Sequence, residues 1–523
     1  MAVTGDPPQP VASDTSPSRG DRLREQARRH WPFLVVLGLG FALRVVAEIA
    51  YRPALLFIDS YRYLDLVRTT DPAKTQTLGY VFFLWPIVKF GNLFVVAALQ
   101  HLIGMGIAVA IYLLCVRYRV SRWLGAAAAA PVLLDAYQIQ IEHTVMSETL
   151  FEALLVGGML ALLWHWRPST RALIVGGVLL GLSVPVRVVS LPLVLPVMLF
   201  AFVSGPGGWR RLGRTAIVGI SFALPVVAYM GYYRTQAGIW GLTTSDARAM
   251  YGRAAEIVDC STIKIPAFER PLCPVEPLGH RIGIDYYAHT YPVADLVKVP
   301  PGQTLNKVVR DFSRRVFKQQ PLDLLHGVTV DFLKAFRWDR TDARGDVPVA
   351  RWQFQTRWPF REFDPAAATR RWGGGPPTVV EPLAAFLRGY QLSIGYTPGP
   401  LLALALLAGI GAGIGFGNAR RARLRAVCWL PTLCALAVVL SADVFEFSWR
   451  YQLPLLVLAP IAGALGVTAM VRDPSRRYPA SGDDELDLGV PSGRAAVSVS
   501  HPGSTGGHES GDAPERGTAG LET

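Results

Sequence analysis

The sequence predicts an α-helical polytopic membrane protein of about ten transmembrane helices, with a large extracytoplasmic insert between spans seven and eight. Three observations carry that expectation. Of the 523 residues, 51% are hydrophobic and only 17% charged, with a mean hydropathy of +0.29. Soluble domains carry about 25% charged residues. Apolar runs approaching or reaching the ~20 residues needed to cross a bilayer recur along the chain. Short basic turns separate them, and with a cytoplasmic N-terminus every such turn falls on the cytoplasmic side, as the positive-inside tendency requires. The formal net charge of +13 is therefore read as topology. No zinc-finger spacing, P-loop or RNA-binding signature accompanies it, so nucleic acid is not the expected partner.

Residues 1–30 are rich in Pro, Ser and Asp and then in arginine (Arg19, Arg22, Arg24, Arg28, Arg29), which reads as a disordered basic cytoplasmic tail. No small-residue cleavage site follows a short apolar core, so the first helix is expected to be an uncleaved anchor. Residues 31–233 hold spans one to seven. The first is Trp31–Tyr51, followed by an outer loop, 52–92, with amphipathic pieces around Asp59–Leu66 and Tyr80–Phe90. Spans two to four are Leu93–Val116, Leu124–Ile139 and Thr149–Trp166. Ala172–Val203 holds two short spans meeting near Pro185-Val186-Arg187, and Ala216–Tyr233 is the seventh. The polar insert covers 234–390. Residues 391–471 contain the last three spans, Leu401–Gly417, Ala426–Leu440 and Gln452–Met470. Residues 472–523 lack periodicity and read as a second disordered cytoplasmic tail.

This arrangement places Asp59, the loop IEHTVMSE, Arg187, the insert and Phe445–Tyr451 on one face, outside. Cys115, Cys428 and Cys434 lie in apolar runs and read as small buried hydrophobes. Cys260 and Cys273 lie in the insert, where an oxidising compartment would let them pair.

The chemistry-bearing candidates are few. Asp59, in LLFIDSYRYLDL, is the first acid past the first span, and a carboxylate at a membrane surface is costly unless used. Tyr63, in the same stretch, is expected beside the substrate. Arg44 lies within the first span, roughly 10 Å from its outer end by helical rise, where it either snorkels outward or meets an anion. Arg187 sits at the tip between two short spans, and Arg450 with Tyr451 opens the last span in SWRYQLPLL. Guanidinium groups suit phosphate because their planar fork donates two hydrogen bonds at once. Glu148 opens span four, where the helix dipole favours an acid. Glu152, one turn further in, would repel it unless a cation or a proton intervened. His143 offers a metal ligand, a base or a substrate contact, although a lone loop histidine is usually none of these. The alternating glycines Gly409–Gly417 lie out of register for a dinucleotide fingerprint and read as close helix packing.

The order of these features resembles the GT-C glycosyltransferases, in particular the polyprenyl-phosphate-sugar-dependent enzymes related to protein O-mannosyltransferases and aminoarabinose transferases. The matching pieces are GFALRVV with Asp59 beyond it, LGYVFFLWPIVKFG leading to VVAALQHLIGMGIAVAIYLLCVRY, IEHTVMSETLF, GVLLGLSVPVRVVSLPLVLP and RYQLPLLVLAP. They lie in the span-bearing parts of the chain, outside the insert and both tails. The resemblance implies that Asp59 is the base activating the acceptor, that Glu148 is a second catalytic acid, and that Arg187 and Arg450 hold phosphate. Several relatives carry Asp-Glu in the first loop where this chain has Asp59-Ser60.

The resulting expectation is an inverting hexosyl- or pentosyltransferase in the plasma membrane. It would move a sugar from a polyprenyl-phosphate carrier to a hydroxyl on an extracytoplasmic glycan, lipid or protein. No metal ligands or cofactor are assigned, with room left for a divalent cation. The alternative is a transporter or flippase of a lipid-linked envelope intermediate, which intramembrane charges would serve equally well. Against it, no repeat relates the two halves, as many transporters would show.

Overall fold

A computed structural model describes residues 19–72, 76–358, 364–422 and 424–472. Ala27–Leu486 makes one compact unit. Of the second, Met1–Gln26 with Asp487–Thr523, only Arg19–Gln26 falls among the described residues, and it is helical. The tail expected at 472–523 lies, apart from Arg472, outside the described residues.

Apolar sequence sets the helices. The first half of the chain is α1 (Arg19–Ala50), strand β1 (Tyr51–Arg52), α2 (Ile58–Thr69), α3 (Gly79–Phe90), α4 (Leu93–Arg117), α5 (Arg122–Leu134), α6 (Ala136–His143), α7 (Glu148–Leu163), α8 (Thr170–Val186), α9 (Val194–Val203) and α10 (Trp209–Ala237). Helix α1 begins at Arg19, so the tail expected over 1–30 is helical from that point. Polar side chains start the helices where the periodicity stops. Asn92 Oδ1 accepts from Val95 N–H at 3.2 Å and Ser169 Oγ from Ala172 N–H at 3.2 Å, each satisfying an orphan donor of a first turn. Helix α10 ends at Gly238, whose φ of +75° is the left-handed conformation that stops a helix.

Among the described residues five helices are long and apolar enough to cross a membrane: Arg24–Ala50 within α1, α4, α10, α20 (Arg425–Asp443) and Trp449–Val471. The pair α5 and α6, bent by 48°, makes a sixth if it is one span. The chain is a helical membrane protein. The other expected spans are shorter, with 16 residues in α7 and 17 in α8. A 16-residue helix reaches only about 24 Å, against an apolar core of ~30 Å. On α1, Leu34, Val35, Leu39, Phe41, Val45 and Ile49 stay exposed, the side-chain set of a lipid-facing helix.

The insert folds on its own core. It contains α11 (Asp246–Ile257), α12 (Ile284–His289), α13 (Val293–Leu296), α14 (Leu305–Gln319), α15 (Pro321–Lys334), α16 (Pro365–Trp372), strand β2 (Thr378–Val379) and α17 (Glu381–Ser393). Tyr251, Ala254, Leu272, Tyr287, Val308 and Phe312 bury one another there, and Cys260 is disulfide-bonded to Cys273 beside them. Gly283 passes so close to Gly345 that a Cβ would sit 2.3 Å from its carbonyl, which leaves room for glycine alone. Several contacts tie the insert to the helices. Strand β1 pairs antiparallel with β2, Tyr51 opposite Val379. Phe354, Ala384 and Leu387 pack on Ala47, Tyr51 and Ile139. Arg340 forks onto Asp135 at 2.7 and 3.2 Å.

The chain closes with α18 (Gly399–Ile414), α19 (Ala419–Ala422), α20 and α21 (Leu453–Val471). The glycine run packs closely: a Cβ on Gly409 would lie 2.3 Å from Thr432 and one on Gly413 2.5 Å from Trp429. The expected packing role is what these glycines have.

Candidate functional site

Four side chains, from positions 59, 148, 187 and 450, meet in one buried cluster. Asp59 stands in the first turn of α2. The turn starts because Ser60 Oγ accepts from Phe57 N–H at 2.9 Å. Ser60 therefore caps the helix that presents Asp59. Glu148 opens α7, so both acids sit at positive helix ends. Their loops are fastened together: Leu55 N–H donates to His143 O at 3.0 Å, and Val145 N–H donates to Leu55 O at 3.1 Å. Arg187 is the extended residue where α8 breaks after Pro185 into the 3-10 turn Val188–Leu193. Arg450 lies in the 3-10 turn Trp449–Gln452 ahead of α21.

Arg450 Nη1 donates to Asp59 Oδ2 at 2.8 Å and Nη2 to Tyr451 Oη at 3.3 Å. Its Nε lies 2.9 Å from Glu148 Oε1 without the alignment of a hydrogen bond. Arg187 Nη1 donates to that same glutamate oxygen. The Tyr451 ring lies between the two guanidiniums, 5.0 Å from Arg187 and 4.8 Å from Arg450, and Trp352 of the insert flanks Arg450 at 5.0 Å. Asp59 Oδ1 accepts from Gln76 at 3.0 Å and from Arg62 at 3.2 Å. Burial pushes the Asp59 carboxyl up, but Arg450, helped by Arg62 and Arg187, outweighs it and holds the group below the usual carboxylate range. Glu446, three residues after α20, goes the other way: burial, then Asp285, raises it to about 8. Glu148, Glu152, Arg187, Arg450 and Tyr451 line a cavity of about 10 Å³, room for one water. The larger groove, about 570 Å³ between α2 and α16, opens beside Tyr61, Leu64, Asp65 and Arg68. Helical spacing puts those four positions opposite Asp59, Arg62 and Tyr63.

The number of guanidinium N–H groups already engaged separates the three arginines singled out from the sequence. Arginine has five N–H donors. Arg44 uses all of them: Nε and Nη2 on Glu142 at 2.8 Å each, Nη2 again on Val132 O at 2.9 Å, and Nη1 on Gly40 O at 3.0 Å and Leu133 O at 2.9 Å. The expected substrate contact at Arg44 is thus corrected: nothing is left for a ligand, and the residue locks α1 to the α5–α6 bend. Among the described residues Arg450 donates two hydrogen bonds and Arg187 one. Both are paired with buried acids.

His143 is not at this cluster. It is fully buried, its Nε2 2.6 Å from Tyr51 O and its Nδ1 3.1 Å from His101 Nε2, so its expected substrate contact is withdrawn. Tyr63 lies beside the cluster but is buried, donating to Ser147 Oγ at 3.1 Å and meeting Tyr80 edge-on at 4.8 Å. It supports the loop of Glu148 and does not line the cavity. Glu152 accepts from Gln138 Nε2 at 2.6 Å, which relieves part of its repulsion from Glu148.

The sequence reading missed Arg62, Gln76 and Trp352 around the cluster, and Glu142, His101 and Gln100 behind it. Glu142 and His101 did carry a signal, as ionisable residues within or next to apolar runs. Trp352 carried none, because it comes from the insert.

Fold and cluster define a helical membrane protein with paired acids and arginines gathered in one buried site. No family model, curated protein or solved structure matches the chain.

Proposed function

We propose that the chain is an integral membrane glycosyltransferase of the GT-C type, transferring a sugar from a polyprenyl-phosphate carrier to a hydroxyl acceptor at the extracytoplasmic face. One observation carries this reading: Arg187 and Arg450, with most of their N–H groups unused among the described residues, converge on two acids from distant elements. Two guanidiniums side by side suit a phosphate, and a carboxylate beside them suits a base.

Phosphate binding and base activation are coupled in this arrangement. The donor phosphate takes the guanidiniums that Asp59 and Glu148 now occupy, and the cavity of about 10 Å³ widens as those pairs open. Asp59 then loses the arginine that holds its carboxyl low, and burial raises its basicity. The acceptor oxygen attacks the anomeric carbon from the face opposite the phosphate, and Asp59 takes its proton. The anomeric C–O bond breaks, and polyprenyl phosphate leaves with the electron pair while Arg187 and Arg450 stabilise the growing charge. No nucleotide sugar is involved.

The topology belonging to this proposal has ten spans, counting α7, α8, α9 with its 3-10 lead-in, and α18, both termini cytoplasmic, and the insert outside in the plasma membrane. Incubating the purified protein with extracted polyprenyl-phosphate sugars and acceptor lipids tests the activity. Transfer is expected; movement of the lipid across vesicles without transfer would instead establish a flippase.

A further inference from the structure

Behind the acid–arginine cluster lies a second group of polar side chains that the proposed reaction does not use. His101 comes from α4, eight residues past its start, and His143 ends α6. Their rings stack with centroids 5.3 Å apart, and His101 Nε2 is 3.1 Å from His143 Nδ1. The outer nitrogen of each ring faces an acceptor: His101 Nδ1 is 3.0 Å from Glu142 Oε2, and His143 Nε2 is 2.6 Å from Tyr51 O. Both Glu142 oxygens accept hydrogen bonds from the Arg44 fork at 2.8 Å, and a carbonyl cannot donate. Both outer nitrogens therefore carry the proton. A neutral imidazole has one N–H, so two neutral rings turn bare lone pairs toward each other.

Glu48, from the last turn of α1, completes the group. Its carboxylate and the two histidine nitrogens lie within 4.8 Å of one another. Both Glu48 oxygens are buried and have no hydrogen-bond partner among the described residues. A buried carboxylate without a partner is expensive. Two imidazole nitrogens and an unpaired carboxylate oxygen gathered within 4.8 Å of one another have the composition of a cation site.

We propose that Glu48, His101 and His143 bind a divalent transition-metal ion of the zinc class. Imidazole nitrogens favour zinc and its neighbours over magnesium or calcium, which take oxygen ligands. Zinc–nitrogen bonds of about 2.0–2.1 Å put two ligand nitrogens roughly 2.9–3.4 Å apart for angles between 90° and 110°. The observed 3.1 Å falls in that range. The outer contacts are those that metal-bound histidines make, one to a carboxylate and one to a backbone carbonyl, fixing ring and tautomer. Small rotations bring the Glu48 oxygen into the shell, and a water fills a fourth position. The ion clamps the end of α1 to α4 and to the end of α6, just where Leu55 and His143–Val145 bond the Asp59 loop to the Glu148 loop. This inference does not depend on the glycosyltransferase reading.

The test uses full-length protein purified in detergent, stripped with EDTA and titrated with Zn²⁺ alone. Elemental analysis should find about one zinc per chain, Co²⁺ should give the visible bands of a low-coordinate histidine site, and Zn²⁺ should raise the melting temperature. Glu48→Gln discriminates, because among the described residues Glu48 makes no hydrogen bond whose loss would harm the metal-free fold. In EDTA this variant should be at least as stable as the wild type. With Zn²⁺ its affinity should fall on the order of 100-fold or more, and its melting temperature should not respond at the concentration that saturates the wild type. A wild type that neither retains nor responds to zinc overturns the proposal. So does a Glu48→Gln protein that binds and responds like the wild type.

Discussion

Replacing Asp59 by Asn keeps the shape of the side chain and removes its charge. In the ligand-free protein the change breaks the 2.8 Å pair with Arg450. Arg450 keeps Glu148 as a counter-charge 2.9 Å away, and the asparagine oxygen still accepts one hydrogen bond. The folding cost therefore stays below the about 3–5 kcal/mol of leaving a buried charge with no partner. Under the proposed mechanism the catalytic cost is larger. General-base catalysis contributes typically 10²–10⁴-fold, or about 2.7–5.4 kcal/mol of barrier. The transfer rate should fall by that factor while donor affinity stays equal or tightens, because a carboxylate competing with phosphate for Arg450 is gone. The pH profile adds a signature. Asp59 must be ionised to act, so activity is lost as pH falls through its pKa. That pKa is low in the ligand-free protein, where Arg450 holds it, and on the proposed mechanism it rises once phosphate takes Arg450. The acid limb of kcat should therefore lie at higher pH than that of kcat/KM. The assay is transfer from polyprenyl-phosphate sugar, scored per folded protein after size-exclusion chromatography. An Asp59→Asn enzyme working at the wild-type rate refutes the reasoning, and Glu148 becomes the residue to test as base.

Cysteine introduced at exposed Ser261 of the insert should label in intact cells with an impermeant reagent; labelling only after permeabilisation would reverse the topology. Arg44→Ala strips Glu142 of its fork and should cost about 3–5 kcal/mol, so this variant should accumulate poorly. Arg187→Ala should accumulate near normally and lose donor use instead, and equal accumulation of the two would show that the engaged N–H groups misassign them. Glu446 is raised to about 8 by burial, so the stability it contributes is fully present below about pH 4.5 and fades as pH climbs through 8. Thermal melts between pH 5 and 9 should show that loss, and Glu446→Gln should flatten it; an unchanged profile would mean that Glu446 is ionised throughout.

The candidate site was half legible in the sequence. Asp59, Glu148, Arg187 and Arg450 each stand where an apolar run stops, and a charged group at such a boundary is conspicuous whatever its partners. Arg44 looked like the same signal and was something else. Nothing local separates a guanidinium saturated by carbonyls 88 and 89 residues away from one that keeps N–H groups to spare. His143 misled for the same reason, because its partners are His101 and the Tyr51 carbonyl, on other elements.

By itself the sequence determined the helical membrane class, the starts of most of the apolar helices, the two amphipathic pieces of the first loop and the cysteine pair in the insert. These follow from composition, periodicity and short-range capping, whose energies arise within a few residues. Only the tertiary structure decided that α5 and α6 bend at Asp135, that Ser60 caps the helix of Asp59, and that Trp352 of the insert covers Arg450. It also decided which arginines are saturated. The physical reason is that hydrogen-bond saturation and burial belong to whatever surrounds a side chain after folding, and here those surroundings come from segments up to 391 positions apart.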